Sequence, residues 1–345
     1  MALILWSLRD ISVSLHPIAS YWDKSARAPR DDLLKRSLAK GLSNRLSKLL
    51  SIVQASLGCP NPMPHLFLVD AAIDVLLCKD SVAKARLGQE TAARFAAGAL
   101  AYGSAARGAD GRPVPDRPGR PDKPQLCPPR QVKRRRITSG TSGRIALLHA
   151  LAHIELNAID LAWDMVARFD GEALPANFYR DWVRVADEEA THFLLLNDRL
   201  KGLGASYGDL PAHDGLWEAA EATAHDLLAR LAVVPMVLEA RGLDVTPDMI
   251  AKLEGVGDQD SAAILKVILR DEIGHVAIGH RWFCFFCERA GQDPAASWHK
   301  LVRTYFKGVL KPPFNDEARA AAGMPESFYG PMARDSIGGP SQTGQ

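Results

Sequence analysis

Two stretches decide the fold, VADEEATHF (185–193) and ILRDEIGHVAIGHRWF (268–283). Each carries Glu-x-x-His, as Glu189 with His192 and Glu272 with His275. At i and i+3 a helix sets both side chains on one face, where they can converge on one metal ion. The neighbours say which face it is. Trp182, Val185, Ala186, Phe193, Leu196 and Leu200 surround Glu189 at helical spacing, and Leu265, Ile268, Leu269, Val276, Gly279 and Phe283 surround Glu272. Both motifs therefore point into an apolar stripe, where a carboxylate is costly unless it is paired or coordinates a metal.

Working outward, two further long helical segments each hold one glutamate in the same position. Glu155 is flanked by Leu148, Leu151, Ala152, Ala158, Ile159 and Ala162, and Glu239 by Ala232, Pro235, Met236 and Leu243. Four successive helices thus offer Glu, Glu-x-x-His, Glu and Glu-x-x-His. The spacing repeats, with 34 residues from Glu155 to Glu189 and 33 from Glu239 to Glu272, as two related αα-hairpins would give. This is the ligand set of a carboxylate-bridged dimetal site in a ferritin-like four-helix bundle. Four carboxylates and two imidazoles suit two iron ions or a manganese–iron pair, whereas structural zinc takes tetrahedral thiolate and imidazole sets. In this reading Glu189 and Glu272 bridge, Glu155 and His192 complete one metal, and Glu239 and His275 the other. The alternative needs four unrelated buried glutamates paired with basic groups that these stripes do not supply.

Around this set, Glu188 and Asp271 each precede a ligand glutamate and are placed to orient a histidine through its free ring nitrogen. His280 is a candidate for the cavity wall. Pro235, four residues before Glu239, removes a helical hydrogen bond, and a kink or π-like distortion there would aim Glu239 at the metal. His149 and His153 continue through Asn157, Asp160 and Asp164 along the polar side of the first helix, an exposed or outer-layer position. Cys284 and Cys287 have CxxC spacing inside an apolar helix without a second pair, and read as buried thiols.

The rest of the chain sets the frame. Of 345 residues, 47% are hydrophobic and 24% charged, which excludes global disorder; 42 Lys/Arg against 40 Asp/Glu exclude a wholly nucleic-acid-binding surface. Five cysteines, an odd number in a long chain, fit a reducing compartment better than a disulfide framework. No run of about 18 apolar residues is present, and MALILWSL lacks the basic flank of a signal peptide, so the expectation is a cytoplasmic protein without a membrane span. Periodic segments over about 142–169, 178–203, 214–241, 261–290 and 294–310, with no succession of alternating strands, predict an all-α protein: a four-helix bundle with extra N-terminal and C-terminal helices. GEALPAN, KGLGASYGDLPAHDG and RGLDVTPD read as the breaks between helices. Residues 1–64 form an N-terminal extension whose stretch 33–53 has basic amphipathic spacing; 65–325 form the bundle domain; 326–345 read as a disordered tail. Inside the domain, 104–141 is a strap: residues 104–136 hold 7 prolines and 10 Lys/Arg against 3 Asp, ending in Arg134, Arg135 and Arg136. It reads as a solvated strap on an acidic helical face, with RNA as the less favoured partner because no aromatic residue interleaves the basic ones.

At these residues the sequence resembles a known family. LLHALAHIELNAIDLAWD (147–164), FYRDW (178–182) with VADEEATHF, YGDLPAHDGLW (207–217), LARLAVVPMVLEARGLDVTP (228–247) and ILRDEIGHVAIGHRWF resemble the bacterial ferritin-like family catalogued as domain of unknown function 455, over roughly residues 65–325. The resemblance implies a dimetal centre on Glu155, Glu189, His192, Glu239, Glu272 and His275, and no settled reaction. The function expected is a non-haem di-iron oxidoreductase that activates O2 to oxidise or hydroxylate a small organic substrate, fed by an external electron donor. The alternatives are a ferroxidase or peroxide-scavenging iron protein, a tRNA-modifying hydroxylase, and a metal-free helical adaptor.

Overall fold

The computed structural model describes residues 67–101, 113–128, 131–132, 140–170 and 174–337. All belong to one compact unit, Val53–Gln345. The N-terminal extension with its basic stretch 33–53, the arginines 134–136 and the segment 338–345 lie outside the described residues. Within them the chain is helical, with two isolated β-bridges and no strands.

Two helices, α1 (Leu68–Leu77) and α2 (Ser81–Ala96), precede the core. Asp80 separates them by capping α2, its carboxylate accepting from the Ala83 N–H at 2.8 Å. The core is made of α3 (Thr141–Arg168), α4 (Ala176–Gly202), a third rod, and α8 (Gln259–Arg289). After the short α5 (Gly215–Ala222), that third rod is assembled from α6 (Leu227–Val233), a π-turn (Val234–Glu239) and α7 (Ala240–Gly255). α3 packs along α4, α8 packs along α7, and α4 meets α8 between the two pairs; α1 lies on α3 and α2 on α4. Three more helices follow, α9 (Pro294–Tyr305), α10 (Asp316–Ala321) and α11 (Glu326–Ile337). The expected all-α bundle is the observed architecture.

Four expectations need correction. RGLDVTPD does not break the chain, because α7 runs straight through Pro247. Proline has no N–H for the carbonyl four residues earlier, and the Asn315 side-chain amide donates to that Leu243 carbonyl instead, at 3.1 Å. Residues 326–337 are helix rather than tail: Phe328 packs on Trp298, and Tyr329 on Phe314 and under Arg319. Cys78 is disulfide-bonded, against the expectation of reduced thiols, while Cys127, Cys284 and Cys287 are free. A residue count cannot show which sulfurs the fold brings together.

The fourth correction concerns the polar side of α3. His149 and His153 are buried, as are Asn157, Asp160 and Asp164. The loop after α4 covers the histidines: His149 Nε2 accepts from the Gly208 N–H at 2.9 Å, and His153 meets the Tyr207 hydroxyl at 2.9 Å and the His213 carbonyl at 3.0 Å. The strap covers the acids. Asp160 pairs with Lys84 and with Arg120 of the strap, and Asp164 pairs with Arg168 and Arg230. Gly119 lets the strap lie flat on the end of α1, since a Cβ there would meet the Leu77 carbonyl oxygen at 2.3 Å. By length and composition α3 is apolar enough to cross a membrane, but 78% of its most apolar window is buried inside the bundle.

Candidate metal centre

The four core elements deliver one acidic group each to a common point. Glu155 comes from α3, Glu189 and His192 from α4, Glu239 from the end of the π-turn, and Glu272 and His275 from α8. Glu155, Glu189, His192 and Glu272 bring donor atoms within 4.8 Å of one another. Glu239 and His275 lie outside that tight group; Glu239 lines the same cavity as the other three glutamates, and His275 borders the group through Glu189 and Glu272. The π-turn occupies the place where Pro235 interrupts the ladder, so the anticipated distortion lies directly before Glu239. Gly279 makes room for it: a Cβ at this position of α8 would stand 2.3 Å from the Pro235 Cβ.

Each histidine is held from outside and aimed inward. The His192 Nε2–H donates to Asp271 Oδ2 at 3.2 Å, and the His275 Nε2–H donates to Glu188 Oε2 at 2.8 Å. The pairing is crossed, because Asp271 sits on α8 beside Glu272 and Glu188 on α4 beside Glu189. This arrangement fixes each ring and leaves Nδ1 for the interior. His192 Nδ1 lies 3.3 Å from Glu189 Oε2 and 3.4 Å from Glu155 Oε2. His275 Nδ1 lies 3.0 Å from Glu189 Oε1 and 3.6 Å from Glu272 Oε2. Glu188 and Asp271 thus each bond the outer ring nitrogen of a histidine on the facing helix. His280 lies elsewhere: its ring packs on Phe328 and its Nε2 is 3.4 Å from Cys284 Sγ, away from the cluster.

Protons are shared unevenly across the group. Burial, then the Glu189 charge, pushes Glu155 and Glu272 above the ordinary carboxylate range, and burial with Glu272 and Glu189 does the same to Glu239. Burial also opposes ionisation of Glu189, but His275 and His192 together hold it ionised. Burial disfavours the charged imidazoles as well, yet hydrogen bonds and charge from Glu155 and Glu189 raise His192 to about 11, and Glu189 with Glu272 raises His275. In the metal-free centre the balance thus favours the ionised form at Glu189 and the charged form at His192 and His275, and disfavours ionisation of Glu155, Glu239 and Glu272.

Donor chemistry tests whether metal fits. Glu239 Oε2 is buried without a partner, and Glu155 Oε2, Glu189 Oε1, Glu272 Oε2 and His275 Nδ1 are buried and meet one another or His192 only as ion-pair contacts of 3.0 to 3.6 Å, not as well-formed hydrogen bonds. Unsatisfied buried polar atoms are costly and normally few. Five gathered in one place, all oxygen or imidazole nitrogen, are what hard or borderline divalent ions bind. The residues present fit.

A sequence profile described as "Protein of unknown function (DUF455)" matches residues 77–330. The chain belongs to the DUF455 family. A relative described as an uncharacterized protein of Haemophilus influenzae is 47% identical over 215 residues, covering 59% of this chain and 72% of the relative. No solved structure matches. The DUF455 match takes in α3 through α8, and so every residue of the cluster. Sequence reasoning missed Tyr207, which anchors the buried His153 of α3, and Arg241, Gly242 and Thr246, which line the cavity. None carries a motif; only the cavity between α3, α7 and α8 brings the last three into view.

Proposed function

We propose that the chain is a non-haem di-iron, or mixed manganese–iron, oxidoreductase of the ferritin-like superfamily that uses O2 to oxidise or hydroxylate a small organic substrate. The observation that carries this reading is the set of five buried donor atoms that make no well-formed hydrogen bond, backed by two histidines tied at Nε2. Glu155, Glu189, Glu239, Glu272, His192 and His275 would hold the metals. When bound, a carboxylate-bridged metal pair supplies the O2 reduction that side chains alone do not perform.

The protein's own part is preparation. Asp271 and Glu188 hold the imidazoles in one orientation, so that little reorganisation accompanies binding. Because burial and mutual repulsion favour the protonated form of Glu155, Glu239 and Glu272, metal entry would displace protons and loading would tighten with rising pH. The aliphatic walls of the cavity surround the glutamates with few polar groups, so a bound organic molecule would displace water there. An external electron donor completes the reading.

That cavity favours substrate oxidation over the ferroxidase or peroxide-scavenging alternative, since iron handling needs no organic pocket. The tRNA alternative draws less support from the described strap, whose Arg117 and Arg120 are taken up by Asp214, Glu221, Asn157 and Asp160. Against the metal-free adaptor stand these five buried donor atoms gathered in one place. The test is single-turnover reaction of anaerobically iron-loaded protein with labelled O2, a chemical reductant and a panel of small substrates, read by mass spectrometry. Label in, or two-electron oxidation of, an organic product supports the proposal. O2 consumption that yields only ferric iron would favour the ferroxidase reading.

A further inference from the structure

The bundle is open between α3 and the π-turn–α7 segment. A cavity of about 250 Å3 enters there and ends on Glu155, Glu189, Glu239 and Glu272. Its walls are aliphatic, with Leu151 and Ile154 on one side, Leu238, Val245 and Met249 on another, and Ile268 from α8. Ile154, 39% exposed, and Arg241, whose side chain is 43% exposed, mark the mouth; the buried glutamates mark the floor. At Gly242 the α7 wall carries no side chain, and a Cβ built there meets nothing within 4 Å. The cavity exists partly because this wall residue is missing.

Arg241 is the one cation in the described lining. Its Nη1 donates to the Lys311 carbonyl at 2.7 Å and the Pro313 carbonyl at 3.1 Å, which orient the guanidinium without neutralising it. The nearest acid, Asp244, is 3.4 Å away, but its carboxylate is already engaged by Arg319 at 2.8 and 2.7 Å. A positive group is thus held at the rim of an aliphatic pocket, with its charge only partly compensated. Pockets that hold drug-sized ligands run to ~300–1,000 Å3, so this one suits a smaller molecule.

We propose that the cavity binds a small, mainly aliphatic substrate bearing one anionic group, with the anion at Arg241 and the carbon chain directed at the glutamates. This rests on the metal-centre reading only for what happens at the floor. Arg241 is then a binding residue that fixes which carbon faces the metals, and Gly242 the residue that makes room for the chain.

The test is calorimetric titration of the full chain, metal-free and anaerobically iron-loaded, with octanoate, octan-1-ol and octylammonium. Gly242→Leu fills the cavity and Arg241→Gln removes the charge. Leucine is favoured over glycine in a helix, and the space at Cβ is empty, so the filled variant should fold. Octanoate should bind iron-loaded wild type at least tenfold more tightly than octylammonium. Gly242→Leu should lose at least tenfold in octanoate affinity while keeping its iron, and Arg241→Gln should bind octanoate and octanol about equally. Three results would overturn the proposal: octanoate affinity unchanged in Gly242→Leu, octylammonium as tight as octanoate, or iron-loaded protein that binds no probe. Affinity that survives Arg241→Gln yet vanishes without iron would put the anion on the metal and overturn the orientation. Protein that takes no iron but still binds octanoate in a Gly242-dependent way would support the cavity assignment and refute the metal reading alone.

Discussion

The ring of His153 lies between the Tyr207 hydroxyl and the His213 carbonyl, near Arg120, and is 6% exposed. Burial first, then the Arg120 charge, lowers it to about 4. An unfolded histidine titrates near ~6.5, so between those values the unfolded chain takes a proton that the fold refuses. The contribution of His153 to stability is therefore complete above about 6.5, falls as pH drops toward 4, and is constant below. Its size is on the order of 3 kcal/mol. Urea unfolding of metal-free wild type and His153→Gln from pH 7.5 to 4 should show the gap between them narrowing by that order, and a gap that stays level would contradict the account. The burial itself was not legible beforehand. His149, His153, Asn157, Asp160 and Asp164 form a polar ladder of the kind that normally faces water, and the segments that cover it are a loop and a proline-rich strap with no periodicity to announce where they lie.

Among the elements, the third rod was the hardest to read and α4 and α8 the easiest. Glu-x-x-His inside an apolar stripe announces itself because helical period alone puts both residues on the buried face. Continuation of α7 past Pro247 depends on Asn315, remote in sequence. Asn315 also caps α10, its Oδ1 accepting from the Ala318 N–H at 3.1 Å. Asn315→Asp keeps a capping oxygen but leaves the Leu243 carbonyl unpartnered, and should cost about 1–3 kcal/mol in chemical unfolding. With Pro247→Ala in the same chain an N–H returns to that carbonyl, and the cost should fall by half or more; equal costs in both backgrounds would refute this role for Asn315. The contact of Gly279 with Pro235 gives a second test. Gly279→Ala drives a methyl against the π-turn, so we expect a loss of about 1–3 kcal/mol together with weakened iron retention, because Glu239 terminates that turn. Unchanged stability and iron content would mean that α8 does not hold the turn in place.

At the scale of the whole molecule, the bundle spends its apolar surface on enclosing acids. α3 is apolar enough to span a membrane, yet it is packed on α1, α4 and the strap, with Glu155 on one side and buried ion pairs on the other. Metal should therefore act as a structural element as well as a reagent: ions that bind the folded centre and not the unfolded chain raise the melting temperature by mass action. Asp160 and Asp164 already have cationic partners, while the central glutamates have two histidines and one another. The measurement that tests the central claim most directly is iron per folded chain after anaerobic reconstitution, taken with the melting temperature. Wild type should hold about two iron ions and melt higher than its metal-free form, whereas Glu189→Ala, which removes the carboxylate between both histidines, should fold, hold little iron and show no rise. Folded wild type that takes up no iron and melts at an unchanged temperature would contradict the account.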